Sequence, residues 1–197
     1  MVKIIPLLAI FEEYSISYSK LKSCLGVDVR KMIHDGISKR GNVFGVDLLE
    51  GFFHAGYHLF GDKEEMSDSF LKCDILETEE CKAVLQKTKK EEGFDILYLG
   101  SVFHLFSKEK CILIARNMRE MLKKGGFFFG RTAGSQFEHD MENPPHEQLE
   151  YLFSVDNLRK MLEENGFENV QIEVTEIDSS GENEKEYKMF CFSCQKC

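Results

Sequence analysis

Asp47 closes the apolar run Asn42-Val43-Phe44-Gly45-Val46-Asp47-Leu48, and helical periodicity follows it. A lone carboxylate at a strand tip is where open α/β sheets hold the hydroxyl pair of a ribose. Two more runs behave alike: Phe70-Leu71-Lys72-Cys73-Asp74-Ile75-Leu76, and Phe94 to Ser101, each giving way to polar or turn residues. Ligands of nucleotide type sit outside such carboxyl ends, and a carboxylate there accepts two hydroxyl hydrogens or an amine. Other clusters invite a metal reading and do not sustain it. His139, Asp140, Glu142 and His146 fall in a proline-containing loop that suits a substrate lid better, and His54 with His58 lack a third ligand in sequence. Cys191 and Cys194 are three apart, so a persisting strand sends them to opposite faces. No metal site is expected.

Alternation of apolar runs with amphipathic segments from Asn42 onward predicts βαβ units and a mainly parallel sheet. Strands are expected near 42–47, 70–75, 94–100, 126–131, 169–177 and 186–194, with helices near 27–36, 50–60, 78–90, 108–123 and 154–165. The helix at 108–123 should end on Lys123-Lys124-Gly125-Gly126, with cations at its negative end and a glycine cap. The run Lys87 to Lys90 reads as a solvated helix end closed by Gly93, and Ser154 fits the cap of the last helix. Only the polar link Asp178 to Glu184 separates the last two strands, so they should form an antiparallel hairpin.

The 197 residues, 43% hydrophobic and 30% charged, suffice for one substantial core. A formal net charge of -9 argues against phosphate-backbone binding, so nucleic acid is not an expected partner. Seven cysteines at irregular spacing form no disulfide framework and point to a reducing cytoplasmic home. The apolar stretch Ile4 to Phe11 is far short of the roughly 20 residues needed to span a bilayer, and no small-residue cleavage site follows it.

Four places together resemble class I S-adenosylmethionine-dependent methyltransferases, and more narrowly the fungal small-molecule methyltransferases of secondary metabolism. They are Ser23-Cys24-Leu25-Gly26-Val27-Asp28-Val29-Arg30 with His34-Asp35-Gly36; Val46-Asp47-Leu48 with Gly56 to Phe60; Cys73-Asp74-Ile75-Leu76; and Ser101 to Phe106, continued by Leu122 to Gly126 and Phe129-Gly130-Arg131. The resemblance spans roughly residues 22–194. It implies a Rossmann-like, doubly wound and mostly parallel sheet with a C-terminal antiparallel hairpin, its first strand missing or degenerate. An atypical segment 1–21 would precede the methyltransferase-like domain 22–197.

It further implies S-adenosylmethionine as cofactor, held by Gly26, Asp28, Asp47, Leu48, Asp74, Ile75 and Ser101, with Asp47 on the ribose and the Asp74-Ile75 pair on adenine. His104 follows the fourth strand at the lip where the reactive methyl should lie, as a base or an orienting hydrogen bond. Arg131 is positioned to clamp an acidic small-molecule acceptor, since guanidinium binds carboxylate bidentately. The expected reaction is methyl transfer to an oxygen. Lys20 and Lys22 stand where the family has an acid and its first glycine. A catalytically inactive methyltransferase-fold protein is therefore the alternative; a dinucleotide-dependent oxidoreductase would need a Gly-x-Gly-x-x-Gly loop that this chain lacks. Oligomeric state is not legible.

Overall fold

The computed structural model describes residues 25–136, the backbone of 139–140, and residues 150–176 and 188–197. Expectations that rest on Lys20, Lys22, Ser23 and Cys24, on the segment 1–21, on the Pro144-Pro145 loop with His146, and on the link 178–184 lie outside the described residues. The chain divides into two compact units, one ending at Leu71 and the other beginning at Lys72.

In the first unit, α1 (Val27–His34) precedes β1 (Gly45–Asp47), α2 (Glu50–Phe60), the single turn α3 (Lys63–Met66) and β2 (Phe70–Lys72). β1 and β2 form a two-stranded sheet. Phe53, Tyr57, Met66 and Phe70 make its core, with Val29 and Ile33 of α1 packed against them. Both strands are shorter than the sequence predicts, because Asn42 donates to the Lys39 carbonyl in a turn and the Asp74 side chain folds back on its own backbone.

The second unit contains α4 (Thr78–Thr88), β3 (Phe94–Gly100), α5 (Lys108–Met121), β4 (Leu122–Gly134), the short pair β5 (His139–Asp140) and β6 (Tyr151–Leu152), α6 (Val155–Glu164), β7 (Phe167–Glu176) and β8 (Lys188–Lys196). Its main sheet has the order β3-β4-β8-β7. β3 and β4 are parallel, whereas β8 runs antiparallel to both β4 and β7, so the expected terminal hairpin is present with its second strand inserted beside β4. Along β4 the core-facing residues alternate: Phe128, Gly130, Thr132 and Gly134 are buried, opposite Cys194, Phe192, Phe190 and Lys188. A Cβ on Gly130 would run into the Phe192 ring, and one on Gly134 into Phe190. These two glycines make room for the phenylalanines, against which the fully buried Phe103 stacks at 5.7 Å from Phe192. No helix among the described residues is long and apolar enough to cross a membrane.

Two helix ends differ from expectation. α5 stops at Met121, and Leu122 is already extended and paired with Phe94, so the Gly125-Gly126 pair belongs to the strand rather than to a helix cap. α4 is closed by Lys89 itself in the left-handed conformation. Gly93 instead lies against the Leu122–Lys123 backbone, where a Cβ has no room. Close approach of the β3 entry to β4 decides both. The cap at Ser154 is as predicted: its hydroxyl accepts the Asn157 N–H at 3.3 Å.

Candidate active site

In the first unit, Gly26 adopts φ +68° at the start of α1, a conformation costly to any residue with a Cβ. The Leu25–Gly26 turn is clamped by Arg30, whose Nη1 donates to the Leu25 carbonyl at 2.5 Å. The same guanidinium pairs with Asp62 through two bonds, 2.6 and 2.9 Å, and lies 4.7 Å from the Phe60 ring and 4.9 Å from that of Phe70. Asp28 sits in the first turn of α1 and Leu48 is exposed just after β1. Asp47 is not the cap of α2, which starts from Leu49; one of its oxygens accepts the Leu49 N–H at 3.0 Å, fixing the carboxylate at the strand tip.

In the second unit, the segment after β2 is held at nearly every backbone group. The Asp74 N–H goes to Glu80 Oε2 at 2.8 Å and the Asp74 carbonyl to the Glu77 N–H. The Leu76 N–H goes to Asp74 Oδ1, and the Ile75 carbonyl accepts from Asn117 Nδ2 at 2.8 Å. What is left without a partner among the described residues is the Ile75 N–H and the second oxygen of Asp74. A donor beside an acceptor is the complement of adenine's N1 and its 6-amino group. The donor set therefore fits the group that the sequence resemblance implies.

The lip formed by the ends of β3 and β4 carries Ser101, His104, Arg131 and Thr132. Ser101 has φ +59°, rare for a residue with a side chain, and is pinned by its N–H to the Arg131 carbonyl at 2.8 Å and by Arg131 Nε to its hydroxyl at 3.1 Å. His104 lies within the 3-10 turn Phe103–Leu105. Its Nδ1 accepts the Ala133 N–H at 3.0 Å and lies 3.1 Å from Thr132 Oγ1, which also accepts the His104 N–H. A backbone N–H can only donate, so Nδ1 offers its lone pair and the neutral ring carries its proton on Nε2. Beyond Gly134 lies a cavity of about 500 Å³ lined by Ser135, Gln136, Val155, Asn157, Lys188 and Phe190.

Cys191 pairs across the sheet with Arg131 while Cys194, three residues on, is buried opposite Phe128, so the two do not converge. Burial pushes the Cys194 thiol up to about 12 and that of Cys111 likewise, which keeps both protonated and inert. No group of three or more metal-ligating side chains occurs among the described residues.

Sequence reasoning missed Thr132, Asn117, Glu80 and the Arg30–Asp62 pair. Thr132 and Asn117 leave a signal, each a polar residue on an otherwise apolar face; the ion pair, 32 residues apart, leaves none.

No protein-family model matches the chain. It is 26% identical to the O-methyltransferase phiE of a fungal species over 80% of its own length and 52% of that protein's. It is 32% identical to the O-methyltransferase atr3 of Stereocaulon alpinum over 58% of its length and 32% of that protein's. The chain thus spans a third to a half of the length of these curated relatives. Among solved structures, phosphoethanolamine N-methyltransferase 2 of Haemonchus contortus, in complex with S-adenosyl-L-methionine, matches 96% of this chain and 51% of its own with a TM-score of 0.60 at 13% identity. A SAM-dependent methyltransferase of Archaeoglobus fulgidus matches 87% of this chain and 82% of its own with a TM-score of 0.59 at 14% identity.

Proposed function

We propose that this chain, which has the class I methyltransferase fold and resembles the small-molecule methyltransferases of fungi, uses S-adenosylmethionine to methylate a carboxylate oxygen of a small metabolite. Residues 22–197 form the methyltransferase-like domain in this reading. Bound S-adenosylmethionine supplies an electrophilic methyl on a sulfonium. Asp74 accepts the adenine amine, the Ile75 N–H donates to the ring, and Asp47 accepts the ribose hydroxyls. Gly26 with Asp28 at the start of α1, Leu48 after β1 and Ser101 complete the set on the nucleoside and methionine portions.

The observation that carries the acceptor class is the tautomer of His104. A ring whose Nδ1 already accepts the Ala133 N–H carries its proton on Nε2, so at that nitrogen it acts as a donor and not as a base. An alcohol or phenol needs its proton removed, whereas a carboxylate is already ionised at neutral pH and asks only to be oriented. Arg131, within β4 and beside Ser101, supplies a matching charge, and the cavity beyond Gly134, with Phe190 and Val155 as apolar surfaces, receives the body of the acceptor. Six free thiols among the described residues support a reducing, cytosolic setting.

Calorimetric titration of the chain with S-adenosylmethionine and S-adenosylhomocysteine, with NAD as control, tests the cofactor. Micromolar binding of the first two alone is expected, and a folded chain that binds none overturns the reading. A screen of carboxylic acids by mass spectrometry, scoring the gain of one methyl, then tests the acceptor. With a carboxylic acid substrate, His104→Gln keeps a donor and is expected to retain most of the rate, while His104→Ala loses about 10–100-fold, the worth of one oriented hydrogen bond of about 1.5–3 kcal/mol. The wild-type rate should stay level between about pH 6 and 9, because nothing in the step needs deprotonation there. Equal loss in both variants, with a rate rising steadily with pH, would point to a hydroxyl acceptor and a basic histidine.

A further inference from the structure

We infer that Asn117, a residue of α5 remote in sequence from every cofactor position, is a positioning residue that sets the preference of this protein for adenine over other bases. This rests on the proposed assignment of Asp74 and Ile75 to the adenine edge. Asn117 is only 2% exposed and lies among the apolar residues Ile114, Ala115, Met118 and Met121. A buried amide in such a face is costly unless its hydrogen bonds are met. They are met by one segment alone: Nδ2 donates to the Ile75 carbonyl at 2.8 Å, and Oδ1 accepts from the Thr78 hydroxyl at 2.9 Å.

The Thr78 bond orients the amide. Since Oδ1 takes the hydroxyl hydrogen, Nδ2 must face Ile75 and donate. That donation fixes the peptide between Ile75 and Leu76, Glu80 fixes the one between Cys73 and Asp74 through the Asp74 N–H, and the Glu77 N–H, bound to the Asp74 carbonyl, fixes the one between them. The peptide between Asp74 and Ile75 is thereby held with its N–H unpartnered among the described residues, and the Asp74 carboxylate is held beside it by the Leu76 N–H. Donor and acceptor face the ligand in one order only. A 6-oxo purine presents the reverse pattern, an acceptor at position 6 and a donor at N1, and meets both mismatches.

Removing Asn117 should loosen the plane and erode discrimination more than affinity in general. The probes are S-adenosylhomocysteine and S-inosylhomocysteine, titrated into wild type, Asn117→Leu, Thr78→Val and Thr78→Ser, each first shown to unfold cooperatively in urea. Wild type is expected to favour the adenosine compound by at least about 30-fold, the equivalent of roughly 2 kcal/mol at two mispaired groups. In Asn117→Leu that ratio should fall to about threefold or less, mostly through weaker binding of the adenosine compound. Thr78→Val, which frees the amide to turn over, should lower the ratio partway, and Thr78→Ser, which keeps the hydroxyl, should restore it.

If both affinities drop by the same factor in Asn117→Leu and Thr78→Val, Asn117 serves stability alone and the inference fails. If Asn117→Leu does not fold, the Thr78 pair decides: an unchanged ratio in Thr78→Val overturns the inference, and a lowered one restored by serine upholds it. Wild type that binds neither compound overturns the proposed function itself, and wild type that binds both equally overturns the adenine assignment.

Discussion

Asp74→Asn is expected to weaken binding of S-adenosylhomocysteine nearly as much as Asp74→Ala, by about 30–150-fold, the equivalent of about 2–3 kcal/mol for a hydrogen bond to a charged acceptor. In the proposed reading the two oxygens of this carboxylate have separate tasks. Oδ1 holds the Leu76 N–H at 2.9 Å and shapes the turn, so asparagine, whose carbonyl takes that bond equally well, should leave the fold and the unfolding midpoint almost unchanged. The other position changes from acceptor to donor and then faces the 6-amino group of adenine donor to donor. Alanine removes both tasks and should cost about 1 kcal/mol of stability besides the affinity. Calorimetry on the two variants checks this, and full affinity in Asp74→Asn would remove Asp74 from the adenine edge.

Arg30→Met should destabilise the first unit by about 3 kcal/mol, the low end for severing a buried ion pair, because methionine fills the slot between Phe60 and Phe70 and yet leaves Asp62 without its partner. The Arg30 side chain is 10% exposed and that of Asp62 20%, so the stranded carboxylate recovers only part of its hydration. The Leu25 carbonyl loses its donor at the same time, and with it the tether on the Gly26 turn. Pairing the change with Asp62→Asn should recover roughly 2 kcal/mol, the coupling expected of contacting residues in one network. Urea midpoints at constant slope measure both quantities. A single Arg30→Met variant as stable as wild type would mean that the pair is no better than its hydrated halves.

The local levels of this fold were written plainly in the chain. The helices at 27–34, 50–60, 78–88, 108–121 and 155–164 fall within two residues of the predicted spans at nearly every end, because their apolar spacing and the Ser154 cap are short-range signals. The terminal hairpin followed from the lack of a crossover helix before β8. Helix ends at Lys89 and Met121 were misread because glycines 93, 125 and 126 looked like caps; the small size of Gly93 and Gly126 serves the close approach of β3 and β4, and Gly125 supplies a positive φ within β4, which no local pattern encodes.

Chemistry divides along the same line. Residue type alone pointed to carboxylates at strand tips and a histidine after a strand, since period and punctuation reveal where strands end, whereas Arg131, expected at a strand end, lies within β4, which runs on to Gly134. Which oxygen of Asp74 is engaged by its own backbone, which nitrogen of His104 carries the proton, and that Asn117 of α5 holds the Ile75 carbonyl were decided by contacts between groups 2 to 42 residues apart. A proton's position or a peptide's orientation is set by the partner that folding brings to it, and pairing across such distances is fixed only when the sheet and helices have packed.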